Sequence, residues 1–373
     1  MIYLDNAATS WPKPPQVIQA AAGVMMQPFG NPGRGGHKAS LRAGRVVSAC
    51  REALAELLNS APERVIFTLN CTDAINMALR GSLRRGDHVL ITHDAHNAVM
   101  RPLAGMEARG EISLSVLPAG ADGIIAPGAI DAAVRPDTAL CVLTHASNVT
   151  GTIQPVAQLA AEAHGYGLPV LLDAAQTAGT ADISHTGADM IAMPGHKGLL
   201  GPMGTGILWL SEHVSPRPLR EGGTGSASES VHQPELLPDR YESGTLQMPA
   251  IAGLLQGVRF VRAHGPAIHE YETYLIDTLR NALAQMPEVE VYGAAEAPHV
   301  GVLSFNLRDR ECAETADLLD QKGFCLRGGL HCAPCMHRWL GTQGTVRASV
   351  GPFTTEGEIQ QLIEAVGQIV RKK

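Results

Sequence analysis

The chain has 373 residues, 45% of them hydrophobic, which is enough to bury a sizeable core, and its 29 basic and 36 acidic residues give a formal charge of −7 with no long run of either sign. That balance argues against nucleic acid or an anionic membrane as the main partner and favours a small-molecule substrate. No segment reaches the roughly 18 uninterrupted apolar residues of a membrane span. The start, MIYLDNAATSWPKP, has no basic stretch followed by an apolar core, and seven cysteines, an odd number, read as reduced thiols, so a cytoplasmic chain is expected.

In chain order, the apolar run RVIFTL (64–69) ends in NCTD, after which AINMALRGSL has helical spacing. DHVLIT (87–92), ALCVLTHAS (139–147), LPVLLDAA (168–175) and ADMIAM (188–193) are further short apolar runs, the pattern of strands buried on both faces of a parallel sheet. VAQLAAEAHGYG, between the third and fourth runs, reads as a helix that stops at glycine. Each strand is followed by small or polar residues (NCTD, THDAHN, THASNVTG, DAAQTAG, PGHKG), where an α/β sheet leaves its crevice. From 212 to 248 the text becomes rich in Ser, Gly, Glu and Pro, too long for an ordinary turn, and predicts a functional loop or arm. Two helices are then expected, IAGLLQGVRFVRAHG and one around 266–286, followed by strands VEVYG and VGVLSFNL and a terminal helix in a smaller C-terminal lobe.

Two places carry chemistry. Lys197, among glycines in MPGHKGLLGPMG, has room to react with an aldehyde, and Asp173, ending the run VLLD, can hold a pyridinium nitrogen protonated. A covalent anchor and an electron-sink partner are what pyridoxal phosphate chemistry needs. Near the end, GLHCAPCMH (329–337) sets two cysteines at CxxC spacing between two histidines, which by itself leaves metal binding, redox exchange and thiolate catalysis open.

Ten motifs in order, YLDNAAT, TDAIN, AHNAVMRPL, SNVTGTIQPV, LLDAAQTAG, GHKGLLGPMGTGILW, GGTGSASE, ESGT, RGGLHCAP and VRASVGPFTT, resemble cysteine desulfurases of the class V aminotransferase group over nearly the whole chain. The resemblance implies an α/β fold of the PLP-dependent transferase fold type I. A large domain (14–255) with a mostly parallel sheet would be joined to a small α/β domain (1–13 and 256–373) carrying the catalytic cysteine. It implies pyridoxal 5′-phosphate as cofactor and no metal.

Under the same resemblance, Lys197 is the covalent anchor, and Asp173 pairs with the pyridine nitrogen. Gln176, one helical turn on, approaches the ring hydroxyl with Asn148. His96 stacks on the ring and moves protons, and Thr72 and His196 bind the phosphate. Thr245 reaches the phosphate of a neighbouring subunit in a homodimer, and Arg347 binds the substrate carboxylate near Asn148. Cys332 is the nucleophile that takes sulfur from L-cysteine or L-selenocysteine, with Arg327 and His331 favouring its thiolate. A PLP aminotransferase or C–S lyase acting on another thiol amino acid is the alternative.

The chain departs from the pattern at Pro194, where relatives often carry a hydroxyl, so an altered phosphate contact is expected. It departs again at Cys335, which is read three ways: packing, a thiol that accepts sulfur from Cys332, or a metal ligand with His331 or His337. The 15 residues from Cys332 to Arg347 leave little room for a long mobile loop. That resembles the SUF-type rather than the ISC-type enzymes and implies low turnover that a sulfur acceptor protein stimulates.

Overall fold

The computed structural model describes residues 1–33 and 35–371. The first part of the chain forms β1 (Ile2–Tyr3), α1 (Pro15–Met26), α2 (Lys38–Leu57), β2 (Val65–Thr68), α3 (Cys71–Ser82), β3 (His88–Thr92), α4 (Asn97–Ala108) and β4 (Ser113–Leu117). Then come a short α5 (Ala129–Ala133), β5 (Thr138–Thr144), α6 (Val156–Gly165), β6 (Val170–Asp173), β7 (Met190–Pro194) and β8 (Gly206–Leu210). The last part holds α7 (Met248–Ala284), β9 (Val289–Tyr292), β10 (Val302–Leu307), α8 (Cys312–Asp320), β11 (Phe324–Cys325), β12 (Arg327–Gly329), α9 (Pro334–Trp339), β13 (Thr345–Ser349) and α10 (Glu356–Arg371).

A seven-stranded sheet runs in the order β2-β8-β7-β6-β5-β3-β4, and only β8 is antiparallel to its neighbours. Its central strands bury both faces because alternate residues enter different cores. Leu90, Cys141, Leu143, Val170 and Leu172 meet α2, α6 and the start of α7, whereas Val89, Ile91, Val142 and Leu171 meet α3 and α4. The expected strand runs all appear. SLSVL forms β4 as well, although its apolar pattern is interrupted, because an edge strand is half-exposed.

A four-stranded antiparallel sheet, β12-β13-β10-β9, makes the second lobe with the later part of α7, α8 and α10. Strand β1 pairs with β11, and Leu4 joins the core of this lobe, so the N-terminus packs with the C-terminal third. Two expectations change here. The two helices read after residue 248 are one, α7, which continues through Pro266. An interior proline removes one hydrogen bond at a cost of about 3 kcal/mol, but Met248, Ile251 and Leu254 before it and Leu275, Leu279 and Leu283 after it bury the helix in both cores. The expected boundary at 255 therefore falls inside a continuous helix. Among the described residues, no helix is long and apolar enough to cross a membrane.

Candidate active site

The carboxyl ends of β5, β6 and β7 and the first turns of α3 and α4 surround a pocket of about 200 Å³ lined by Thr72, His96, Asn148, Asp173, Gln176, His196 and Lys197. Residues from five separate stretches meet because parallel strands all point their ends toward one side of the sheet.

Asp173 is the last residue of β6 and 3% exposed; its Oδ1 accepts from Ala175 N at 3.0 Å and lies 3.8 Å from Cys71 Sγ. Burial pushes its carboxyl above the ordinary range, opposed by the Ala175 bond and Lys197. Lys197 follows β7 on a loop so close to its neighbours that a Cβ on Gly195 would sit 2.1 Å from Thr205 Oγ1. Burial lowers the ammonium of Lys197 and favours the neutral amine, the nucleophilic form, against the opposing field of Cys71. The N-terminal segment holds this loop by bonding to the His196 carbonyl, from Ser10 N at 3.1 Å and from Lys13 Nζ at 2.8 Å.

His96 caps α4: its Nδ1 accepts from Ala98 N at 3.0 Å, which leaves the ring proton on Nε2. Burial, then Lys197 and three arginines, pull its pKa down to about 4, so the ring is neutral at physiological pH. His196 is likewise pulled down to about 4, by burial first and then Lys197 and Lys13. Asn70 caps α3 by accepting from Asp73 N at 2.9 Å, and Asn70, Cys71 and Thr72 bring the positive end of the helix dipole to the pocket wall. Pro194 lines the same wall and offers neither a hydroxyl nor an N–H.

Arg347, on β13 and 1% exposed, stands behind Asn148. Its Nη1 donates to the Asn148 carbonyl at 3.0 Å and its Nη2 pairs with Asp5 Oδ1 at 2.7 Å, while Nε is buried without a partner.

The cysteine segment joins the site through its backbone. The Ala333 N–H bonds the Leu330 carbonyl at 2.8 Å, and the two residues between, His331 and Cys332, have φ of +47° and +58°. This is the φ pattern of a type I′ turn, which favours glycine or asparagine. A non-glycine residue in this region is strained and persists where its surroundings hold it. Here the Asn97 N–H donates to the Cys332 carbonyl and Asn148 Nδ2 donates to the His331 carbonyl, both at 2.7 Å. The turn is thereby bonded to the residue after His96 and to a pocket residue, with the Cys332 side chain exposed.

Some expectations need correction. His331 cannot supply a positive charge to Cys332: its Nε2 bonds Thr345, and burial, then Arg347, pulls it down to about 3. Gln176 is not one helical turn beyond Asp173, since residues 174–180 form successive turns; its Nε2 donates to the Ala7 carbonyl at 3.2 Å while the side chain still lines the pocket. Thr245, whose expected role is on a neighbouring subunit, does not line this pocket of its own chain and is exposed in a cleft of about 50 Å³ with Leu69 and Arg220. The metal reading of GLHCAPCMH meets His331 Nε2 engaged with Thr345 and both ring nitrogens of His337 engaged with the Ala333 carbonyl and Thr345, while His331 Nδ1 is buried without a partner. Among the described residues, no group of three or more His, Cys, Asp or Glu side chains is placed to hold a metal ion.

Three residues of the site went unread in the sequence: Cys71 against Asp173, Asp5 against Arg347, and Asn97 under Cys332. Each lies inside or beside a quoted motif, but its partner is distant in sequence.

A family model described as aminotransferase class-V matches residues 2–362. A "Probable cysteine desulfurase" of Methanothermobacter thermautotrophicus is 35% identical over 99% of this chain and 94% of its own length. A cysteine desulfurase of Cronobacter sakazakii is 32% identical over 100% of this chain and 94% of its own. Among solved structures, the apo cysteine desulfurase of Thermococcus onnurineus NA1 superposes with a TM-score of 0.93 at 28% identity, covering 100% of this chain and 95% of that one.

Proposed function

The chain belongs to the aminotransferase class-V family, and from that premise we propose that it is a pyridoxal 5′-phosphate-dependent cysteine desulfurase, which converts L-cysteine to L-alanine and leaves the sulfur on Cys332. The observation that carries this reading is the 2.7 Å bond from Asn97 N to the carbonyl of Cys332, the one exposed cysteine among the described residues, which ties it to the pocket of Lys197 and Asp173.

The donor set fits the cofactor. Asn148 Oδ1 and His196 Nδ1 are buried in this pocket without partners. Lys197 would hold the group covalently, Asp173 its ring nitrogen, Gln176 and Asn148 its ring hydroxyl, and Thr72, His196 and the α3 terminus its phosphate. With Pro194 in place of a hydroxyl, the α3 N–H groups and His196 take a larger share of the phosphate. When bound, the cofactor supplies an electron sink for negative charge on the substrate carbon. Arg347 holds the substrate carboxylate through the N–H groups that Asp5 and Asn148 leave free. Cys332 attacks the substrate sulfur; the carbon–sulfur bond breaks and a sulfur–sulfur bond forms on Cys332. The neutral His96, with its proton on Nε2, is placed to move a proton.

Thr245, exposed in its own cleft, would complete the phosphate site of a second copy in a homodimer. The short turn that holds Cys332 keeps the sulfur near the pocket, so an acceptor protein would speed turnover. A cytoplasmic location keeps the thiols reduced.

The test is alanine formation by the purified, cofactor-loaded protein given L-cysteine or L-selenocysteine. Cys332→Ala should abolish alanine from L-cysteine. A C–S lyase would not need this thiol, so unchanged activity in that variant would reject the proposal. Lys197→Ala should lose the absorbance band of the bound cofactor near about 420 nm.

A further inference from the structure

Cys335 does not have the surroundings of a packed thiol. Cys50 and Cys141 are 0% exposed, and burial pushes both up to about 12, the state of an inert cysteine. Cys335 is only half-buried, on the first turn of α9. The inner side of that segment presses Ala333, Met336, Trp339 and Leu340 against Val149, and Trp339 packs on His93 with ring centroids 5.1 Å apart. Cys335 and Arg338, three residues apart, share another face. There Arg338 Nη2 donates to Cys335 Sγ at 3.0 Å, and among the described residues this guanidinium meets no carboxylate. An exposed cation whose side-chain partner is a sulfur, beside a free thiol three residues from the nucleophile, is arranged for a charged sulfur species.

We propose that Cys335 is a second sulfur-carrying thiol, which takes the transferable sulfur from the Cys332 persulfide and holds it beside Arg338 for an outgoing thiol acceptor. The proposal rests on the desulfurase reading of Cys332. In the step, the Cys335 thiolate attacks the outer sulfur of the persulfide. The bond from that sulfur to Cys332 breaks, its electron pair stays on Cys332, and the Cys335 proton replaces the one Cys332 needs to return to its thiol. One sulfur–sulfur bond is lost and one gained, so no external oxidant or reductant enters. Three residues of chain span at most about 11 Å fully extended, and the turn at 330–333 followed by the first turn of α9 shortens that reach. Transfer also clears Cys332 for the next substrate.

The test is a single turnover of the cofactor-loaded protein with one equivalent of L-cysteine in the absence of oxygen. Thiols and persulfides are alkylated, and fragmentation between residues 332 and 335 in a mass spectrometer locates the extra sulfur. Alanine formed serves as the denominator. We expect most of the sulfur on Cys335, all of it on Cys332 in Cys335→Ser, and a share on Cys335 at least three-fold lower in Arg338→Ala, with retained cofactor absorbance showing that both variants fold. Sulfur confined to Cys332 in the unmodified sequence overturns the proposal, as does a Cys332–Cys335 disulfide with free sulfide equal to the alanine. If no alanine forms at all, the desulfurase reading itself fails, and this proposal with it.

Discussion

Arg347 shows how one residue is both held and kept available. Its guanidinium is nearly fully buried, yet Asp5 and the Asn148 carbonyl occupy only two of its five N–H donors. Removing one partner of a buried pair leaves an uncompensated charge. Asp5→Asn should therefore lower unfolding stability by about 3 kcal/mol, less if water reaches the partly exposed Asp5 side, and raise KM for L-cysteine roughly ten-fold as the arginine loses its orientation. Urea denaturation and steady-state kinetics check both, and unchanged values in both would remove Asp5 from this role. Arg347 was legible as an arginine in VRASVG, but its partner lies at the other end of the chain, and Asp5 comes beside it where β1 pairs with β11 and Asp5 bridges Ser349 of β13.

Among the elements, the arm from 211 to 247 has no regular secondary structure and is held by side chains. Glu242 receives both Nη groups of Arg51, at 2.9 and 2.8 Å, and the Phe67 N–H at 2.6 Å, with both ionic side chains below 10% exposure. Tyr241, beside it, donates from its hydroxyl to the Pro216 carbonyl at 2.7 Å. These contacts fix the stretch that carries Thr245. Glu242→Ala should strand a buried guanidinium and the Phe67 N–H, costing about 3–5 kcal/mol, and should open the arm to proteolysis well before the sheet unfolds. A melting temperature and cleavage pattern unchanged from the parent would contradict it. The arm was legible as something longer than a turn, since glycine, serine and proline cannot build a core. How it is anchored was not, because Arg51 and Glu242 are 191 residues apart.

Across the whole molecule, the two lobes meet at a cavity of about 40 Å³ bounded by Lys197 and Gln176 from one side and by Val302 and Gly351 from the other, with Glu272 of α7 in its wall. Glu272 is 4% exposed, and burial alone pushes its carboxyl up to about 8. The folded state therefore keeps its proton while the unfolded chain, near 4.5, has lost it. The unfolded state binds fewer protons through this interval, so the contribution of Glu272 is fully present below about 4.5 and is lost as pH rises toward about 8. Glu272→Gln should remove that slope. The variant should match the parent near pH 4.5 and exceed it by roughly 4 kcal/mol near pH 8.5. Urea midpoints at the two pH values test this, and a difference independent of pH would refute it.

The sequence by itself determined the elements whose signals are local. Apolar runs of strand length specified the central sheet, since a strand buried on both faces must be apolar throughout. Polar residues after those runs marked the site, Asp173 and Lys197 could be named from their side-chain chemistry, and His96 and Cys332 from the resemblance of their motifs to the family. Tertiary structure alone decided the pairings and the charge states. Nothing local tells α7 to run through Pro266, since that follows from two cores gripping its ends. Nothing local says that His331 is neutral, since that follows from burial and nearby cations. Likewise, two residues forced into left-handed conformations hold the nucleophile only because Asn97 and Asn148, 235 and 183 residues away from their acceptors in the chain, are folded against it, and long-range hydrogen bonds of this kind leave no trace in local spacing.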